Sequence, residues 1–94
     1  MRRAAKKDAN HQEIVSALLR LGFSVMDTAA VGQGFPDLVV ARAGVNFLVE
    51  IKDGGKPPSA RRLTRDQIEF HSRWASRIVM LYSVEEAVQF ANTL

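Results

Sequence analysis

The sequence predicts a small α/β domain built on one mixed sheet. Three observations lead there. Two short, mostly apolar stretches, Asp37 to Arg42 and Phe47 to Lys52, read as strands and lie close enough together to form a hairpin. A third apolar stretch, Arg77 to Tyr82, is separated from them by a segment of helical spacing. Two segments open on the S/T-x-x-E/Q pattern of a helix start: Thr64 with Gln67, and Ser83 with Glu86. The expected order is helix, three strands, helix, strand, helix.

The first helix is expected over Asp8 to Leu21. Ile14, Val15, Leu18 and Leu19 fall on one apolar face, and Gly22 stands in the usual stop position. Phe23 to Val31 reads as extended. "VGQGFP" is a turn by its glycines and proline. The strand from Asp37 is joined to the next through "AGVN". "DGGKPPSARR" is a polar loop stiffened by Pro57 and Pro58. The second helix starts at Thr64 and runs to about Ala75, the last from Ser83 to about Asn92.

The chain has 94 residues, which suggests a single domain over 1–94 with residues 1–7 as a basic arm. Such a domain buries only a modest core, so pairing with a second copy would help it. There is no cysteine, which excludes disulfides and thiolate metal sites. The basic start "MRRAAKKDAN" has no apolar run after it, so it does not read as a signal peptide. No apolar run reaches the length of a membrane span. A soluble cytoplasmic protein without membrane association is expected.

The net charge of +3 hides an asymmetry. Residues 1–20 carry +3 and residues 56–77 carry +4, whereas residues 21–55 and 78–94 each carry −2. An acidic centre between basic segments suits a polyanion held beside a metal.

The acidic centre is where chemistry is expected. Alternation places Glu50 and Lys52 on one face of their strand, roughly 7 Å apart along the backbone. Hairpin pairing brings Asp37 beside Glu50. Two carboxylates at one strand end suit a hard divalent cation such as magnesium. Such a cation lowers the pKa of a bound water and neutralises a phosphate oxygen. A lysine beside it orients that water and stabilises developing negative charge.

Gln67, His71 and Trp74 follow helical spacing, which sets Gln67 in the middle of the face that meets the sheet. A polar group there needs a partner, and the site provides one even if Gln67 also caps its helix. Trp74 and His71 read as core rather than catalytic, with the site as the alternative for His71, although no second histidine stands at metal spacing; His11 is an odd polar residue on the apolar side of the first helix. Asp53 reads as a turn residue, and Asp8 as a candidate N-cap. The loop residues Lys56, Arg61, Arg62 and Arg65 are placed to hold phosphates, as are Arg2, Arg3, Lys6 and Lys7 near the start. "VGQGFPD" precedes a strand, whereas a dinucleotide fingerprint follows one, so no nucleotide cofactor is expected. Gly32 and Gly34 are expected to allow a tight approach to Asp37 or to DNA.

Pro36–Asp37 followed by Glu50–Ile51–Lys52 matches the PD-(D/E)xK pattern. With "DANHQEIVSALLRLGFSV", "GQGFPDLVV", "FLVEIKDG", "KPPSARRLTRDQIEFHSRW" and "SVEEAVQF", nearly the whole chain resembles the virus-type replication–repair nuclease (VRR-NUC) group. The likeness is greatest to its small stand-alone phage forms, related in fold to Holliday junction resolvases. The resemblance implies a restriction-endonuclease-like core and a magnesium- or manganese-dependent DNA endonuclease. It implies phage replication, repair or recombination in an infected or lysogenic bacterial cell. Asp37, Glu50 and the Ile51 backbone carbonyl would hold the metal, and Lys52 would be the catalytic lysine. Gln67 would join the site, as would an acidic residue of the first helix, for which Glu13 is the best match and Asp8 and Asn10 compete. A homodimer acting on branched DNA, such as a four-way junction, is implied. Flaps, nicks, single strands or plain duplex are the alternative substrates. An inactive DNA-binding or assembly module on the same fold is the alternative of another class.

Overall fold

The structure, a computed structural model, describes residues 7–94. One mixed four-stranded sheet has the order β1-β2-β3-β4, with β1 Ser24–Asp27, β2 Leu38–Arg42, β3 Val45–Ile51 and β4 Ile78–Leu81. The first two pairings are antiparallel and β3 pairs β4 in parallel. Helices α1 (His11–Arg20), α2 (Arg65–Arg73) and α3 (Val84–Asn92) complete it, with a short 3-10 turn at Pro58–Arg61 inside the polar loop. No helix among the described residues is long and apolar enough to cross a membrane.

Alternation divides the sheet into two faces. Leu38 and Val40, Val49 and Ile51, and Val79 and Leu81 are buried with Ile14 and Leu18 of α1 and Ala87, Phe90 and Ala91 of α3. Phe23 stacks on Phe90, and Phe47 meets Phe90 edge-on, closing this core at the far end of the strands. The other face carries Glu50, and α2 lies over it. Helix α2 itself has no buried residue.

Helix α1 begins later than its apolar pattern suggests, because the first turn is held differently. Asn10 is its N-cap residue but makes no cap bond. Instead its side chain donates to the carbonyls of Lys52 and Tyr82, tying the helix start to the ends of β3 and β4. The helix ends in a Schellman motif: Phe23 N–H donates to Leu18 and Gly22 N–H to Leu19, with Gly22 at φ +90°. His11 is 2% exposed, and its Nε2 lies 2.8 Å from Asp27 Oδ2, which accounts for a histidine on an apolar face.

The β2–β3 hairpin is tighter than "AGVN" implies. Arg42 pairs with Val45 across a two-residue turn, Ala43–Gly44, both at positive φ, so Val45 and Asn46 belong to β3. In α2 the expected capping box forms, with Gln67 N–H on Thr64 Oγ1 and Thr64 N–H on Gln67 Oε1. In α3 only half of it forms. Glu86 N–H donates to Ser83, but the Glu86 carboxylate reaches one residue further back, to Tyr82 N–H. Trp74 is not core: it is 44% exposed at the end of α2, stacked on Phe70.

Candidate active site

The site is built where β2 begins and β3 ends. Each β2–β3 pair continues the same register, so the step beyond Leu38↔Val49 sets Asp37 against Glu50. Asp37 is fixed from both sides. Thr28 N–H donates to its carbonyl at 2.8 Å, and Thr28 Oγ1 to the preceding Pro36 carbonyl. Its own Oδ2 accepts from Ile51 N–H at 2.8 Å. The N–H and C=O of a strand residue point to the same side, so the Ile51 carbonyl also lies on the Asp37 side.

Glu50 is 1% exposed and Lys52 8% exposed, burial that charged groups tolerate only with partners. Gln67 supplies them. Its Nε2 donates to Glu50 Oε2 at 3.0 Å, and its Oε1 accepts from Lys52 Nζ at 2.8 Å. The same oxygen accepts the cap bond from Thr64, so Gln67 acts as helix cap and as bridge at once. His71, one turn further along α2, brings Nε2 to 3.9 Å from Glu50 Oε1. Burial and the nearby Lys52 charge hold the His71 pKa below its ordinary value.

Glu50 is pushed up to about 9 from 4.5. Burial is the main cause, followed by its hydrogen bond to Asp37 and the repulsion between the two carboxylates. Lys52 offsets this in part. Glu50 therefore retains its proton at neutral pH.

The structure does not bring Glu13 to this cluster. Its neighbour Ile14 is in the core, so Glu13 turns outward into a separate cleft with Asn10, Asp53, Arg61 and Glu86. Asp8 takes the nearer place. It precedes α1 in a turn closed by His11 N–H, and it is electrostatically coupled to Lys52, Asp37 and Glu50. Burial raises its pKa. Asn10 is occupied as the strand clip described above. Asp53 accepts from Gly55 N–H and forms a turn.

Of the basic candidates, Lys56, Arg62 and Arg65 are exposed. Arg61 is partly engaged, donating to the Lys56 carbonyl and lying over the Tyr82 ring. Lys7 pairs with Asp27 at 3.0 Å. Arg2, Arg3 and Lys6 lie outside the described residues.

The residues fit a hard divalent cation. Asp37 and Glu50 offer two carboxylates, about the number a magnesium site draws from protein before water and substrate phosphate complete it. Among the described residues no three His, Cys, Asp or Glu side chains gather as a preformed cage. Glu50 Oε1 is buried without a hydrogen-bond partner, a cost that a ligand would relieve.

Binding such a cation requires Glu50 to give up its proton. Affinity for manganese is therefore expected to rise with pH, by up to about tenfold per unit until near pH 9. Calorimetry in buffers of different ionisation enthalpy should read release of close to one proton at pH 7. For the metal-free fold the sign is opposite. Glu50 holds a proton that the unfolded chain has lost above pH 4.5, so its contribution is fully present below that value and declines up to pH about 9.

Comparison with family models, curated proteins and solved structures finds no match for this chain.

Proposed function

We propose that the chain is a magnesium- or manganese-dependent DNA endonuclease that hydrolyses phosphodiester bonds in branched DNA. The observation that carries it is one hydrogen-bonded unit joining Asp37, Glu50, Gln67 and Lys52. A purely structural E-x-K pair on a wet strand face would leave both side chains in solvent, whereas here both are buried.

Asp37, Glu50 and the Ile51 carbonyl would hold the cation, with Asp8 rather than Glu13 as the nearby acidic group of the N-terminal segment. Once bound, the ion supplies charge neutralisation at the phosphate and a more acidic water. Gln67 keeps the Glu50 carboxylate and the Lys52 ammonium at a fixed separation. Lys52 spends one of its three N–H donors on Gln67. The other two are available to orient the attacking water and to offset charge growing on the phosphate oxygens. Lys56, Arg62 and Arg65 hold the backbone without reading sequence.

The restriction-endonuclease-like character of the core, the preference for four-way junctions and the homodimer belong to this proposal and rest on the family resemblance. A two-fold pair would present two sites in matched orientation, one for each cut strand. The test is a cleavage panel of junction, flap, splayed arm, single strand and duplex, each with magnesium and with manganese. Junction cutting is expected to dominate. Lys52→Ala should keep DNA binding and lose cutting by about a hundred- to a thousand-fold. If no substrate is cut with either metal, the reading fails.

A further inference from the structure

His71 stands one helical turn after Gln67, so both side chains project from the same side of α2. Gln67 holds one oxygen of the Glu50 carboxyl, Oε2. The other oxygen, Oε1, is buried and has no partner, and neither has the buried His71 Nε2 that faces it 3.9 Å away. That distance is too long for a hydrogen bond. Two unpaired buried polar atoms facing each other are an arrangement folded proteins normally avoid.

We propose that His71 is a positioning residue for Glu50. Its Nε2–H donates to Oε1 and fixes the rotation of the carboxylate that would hold the cation. Closing the gap takes a shift of about 1 Å to reach ordinary hydrogen-bond length. Helix α2 then grips both carboxylate oxygens, Oε2 through Gln67 and Oε1 through His71. The role rests on the nuclease reading above. It adds a residue that the E-x-K pattern does not contain.

The test is manganese binding by calorimetry on the full chain without DNA, for wild type, His71→Leu and His71→Gln. Leucine keeps apolar bulk and removes the donor, whereas glutamine keeps an amide donor of similar reach. His71→Leu is expected to bind manganese about 10- to 100-fold more weakly, the usual cost of losing a group that orients a ligand. His71→Gln should bind more nearly like wild type. In cleavage, the manganese concentration for half-maximal cutting should rise for leucine and return toward wild type for glutamine. Melting of metal-free His71→Leu should be no lower than wild type, because an unpaired buried polar atom has been removed. Equal manganese affinity of His71→Leu and wild type overturns the role and leaves the nuclease reading standing. So does a glutamine variant as weak as leucine. A wild type that binds no manganese overturns both.

Discussion

Asp37→Ala is expected to abolish cation binding and to cut DNA cleavage on the order of a thousand-fold or more, since charge stabilisation by a bound metal is worth several kcal/mol. Asp37 does two things, and a second variant separates them. Its Oδ2 accepts from Ile51 N–H, so alanine also leaves a backbone donor unpaired, at about 1–3 kcal/mol of stability. Asp37→Asn keeps an acceptor oxygen for Ile51 while removing the charge. It should fold with stability closer to wild type and still fail to bind manganese. Asparagine also removes the repulsion between the carboxylates, so the Glu50 pKa should move down toward its ordinary value, with burial still holding it above. Calorimetry, a cleavage time course and thermal unfolding on the three proteins check this. Asp37→Asn that binds manganese as wild type does would refute the metal role.

Gly34→Ala is expected to be strongly damaging. Gly34 has φ +81°, and a β-carbon there would collide with the Asp66 carbonyl and fall 2.9 Å from Gln67 N. The left-handed conformation alone costs an alanine about 1–2 kcal/mol. The backbone clash adds to that, because the start of α2 must move away from the loop. Gln67 rides on that turn, so the bridge between Glu50 and Lys52 moves with it. A melting temperature lower by on the order of 10 °C is expected for a domain this small. Cleavage should fall about a hundred-fold, as misplacement of about 1 Å does elsewhere. Gly44→Ala is the control. Gly44 has φ +78° but nothing within 4 Å of its would-be β-carbon. It should carry the conformational cost alone and leave cleavage near wild type. Two variants with the same loss of activity would break the link between Gly34 and Gln67.

These two residues mark how far the sequence could be read. The place of Asp37 opposite Glu50 follows from strand alternation and a short hairpin, both local properties, so it was legible. So were the α/β order and the cap at Thr64. Gly34 was not. Its glycine requirement was visible, but the sequence points it at Asp37, three residues away, or at DNA, whereas the surface it approaches is the backbone of Asp66 on a distant helix. Glu13 was misplaced for a related reason. A helical wheel ranks residues within a helix, but the helix starts at His11, and the nearer carboxylate, Asp8, lies in the preceding turn, where periodicity gives no direction. Trp74 was expected in the core and is not, because α2 is a thin helix laid over a polar end of the sheet, whereas His71 takes the alternative place left open for it, facing Glu50.

That thinness has a thermal consequence. The sheet, α1 and α3 share one apolar core, while α2 has no fully buried residue and is held near Glu50 through Gln67 and beneath Gly34. Segments with few buried contacts open at lower free energy than the body they rest on. On heating, amides of α2 should exchange with solvent before those of β2 and β3. Catalytic competence should then fade several degrees below the temperature at which circular dichroism registers collapse, and return promptly on cooling.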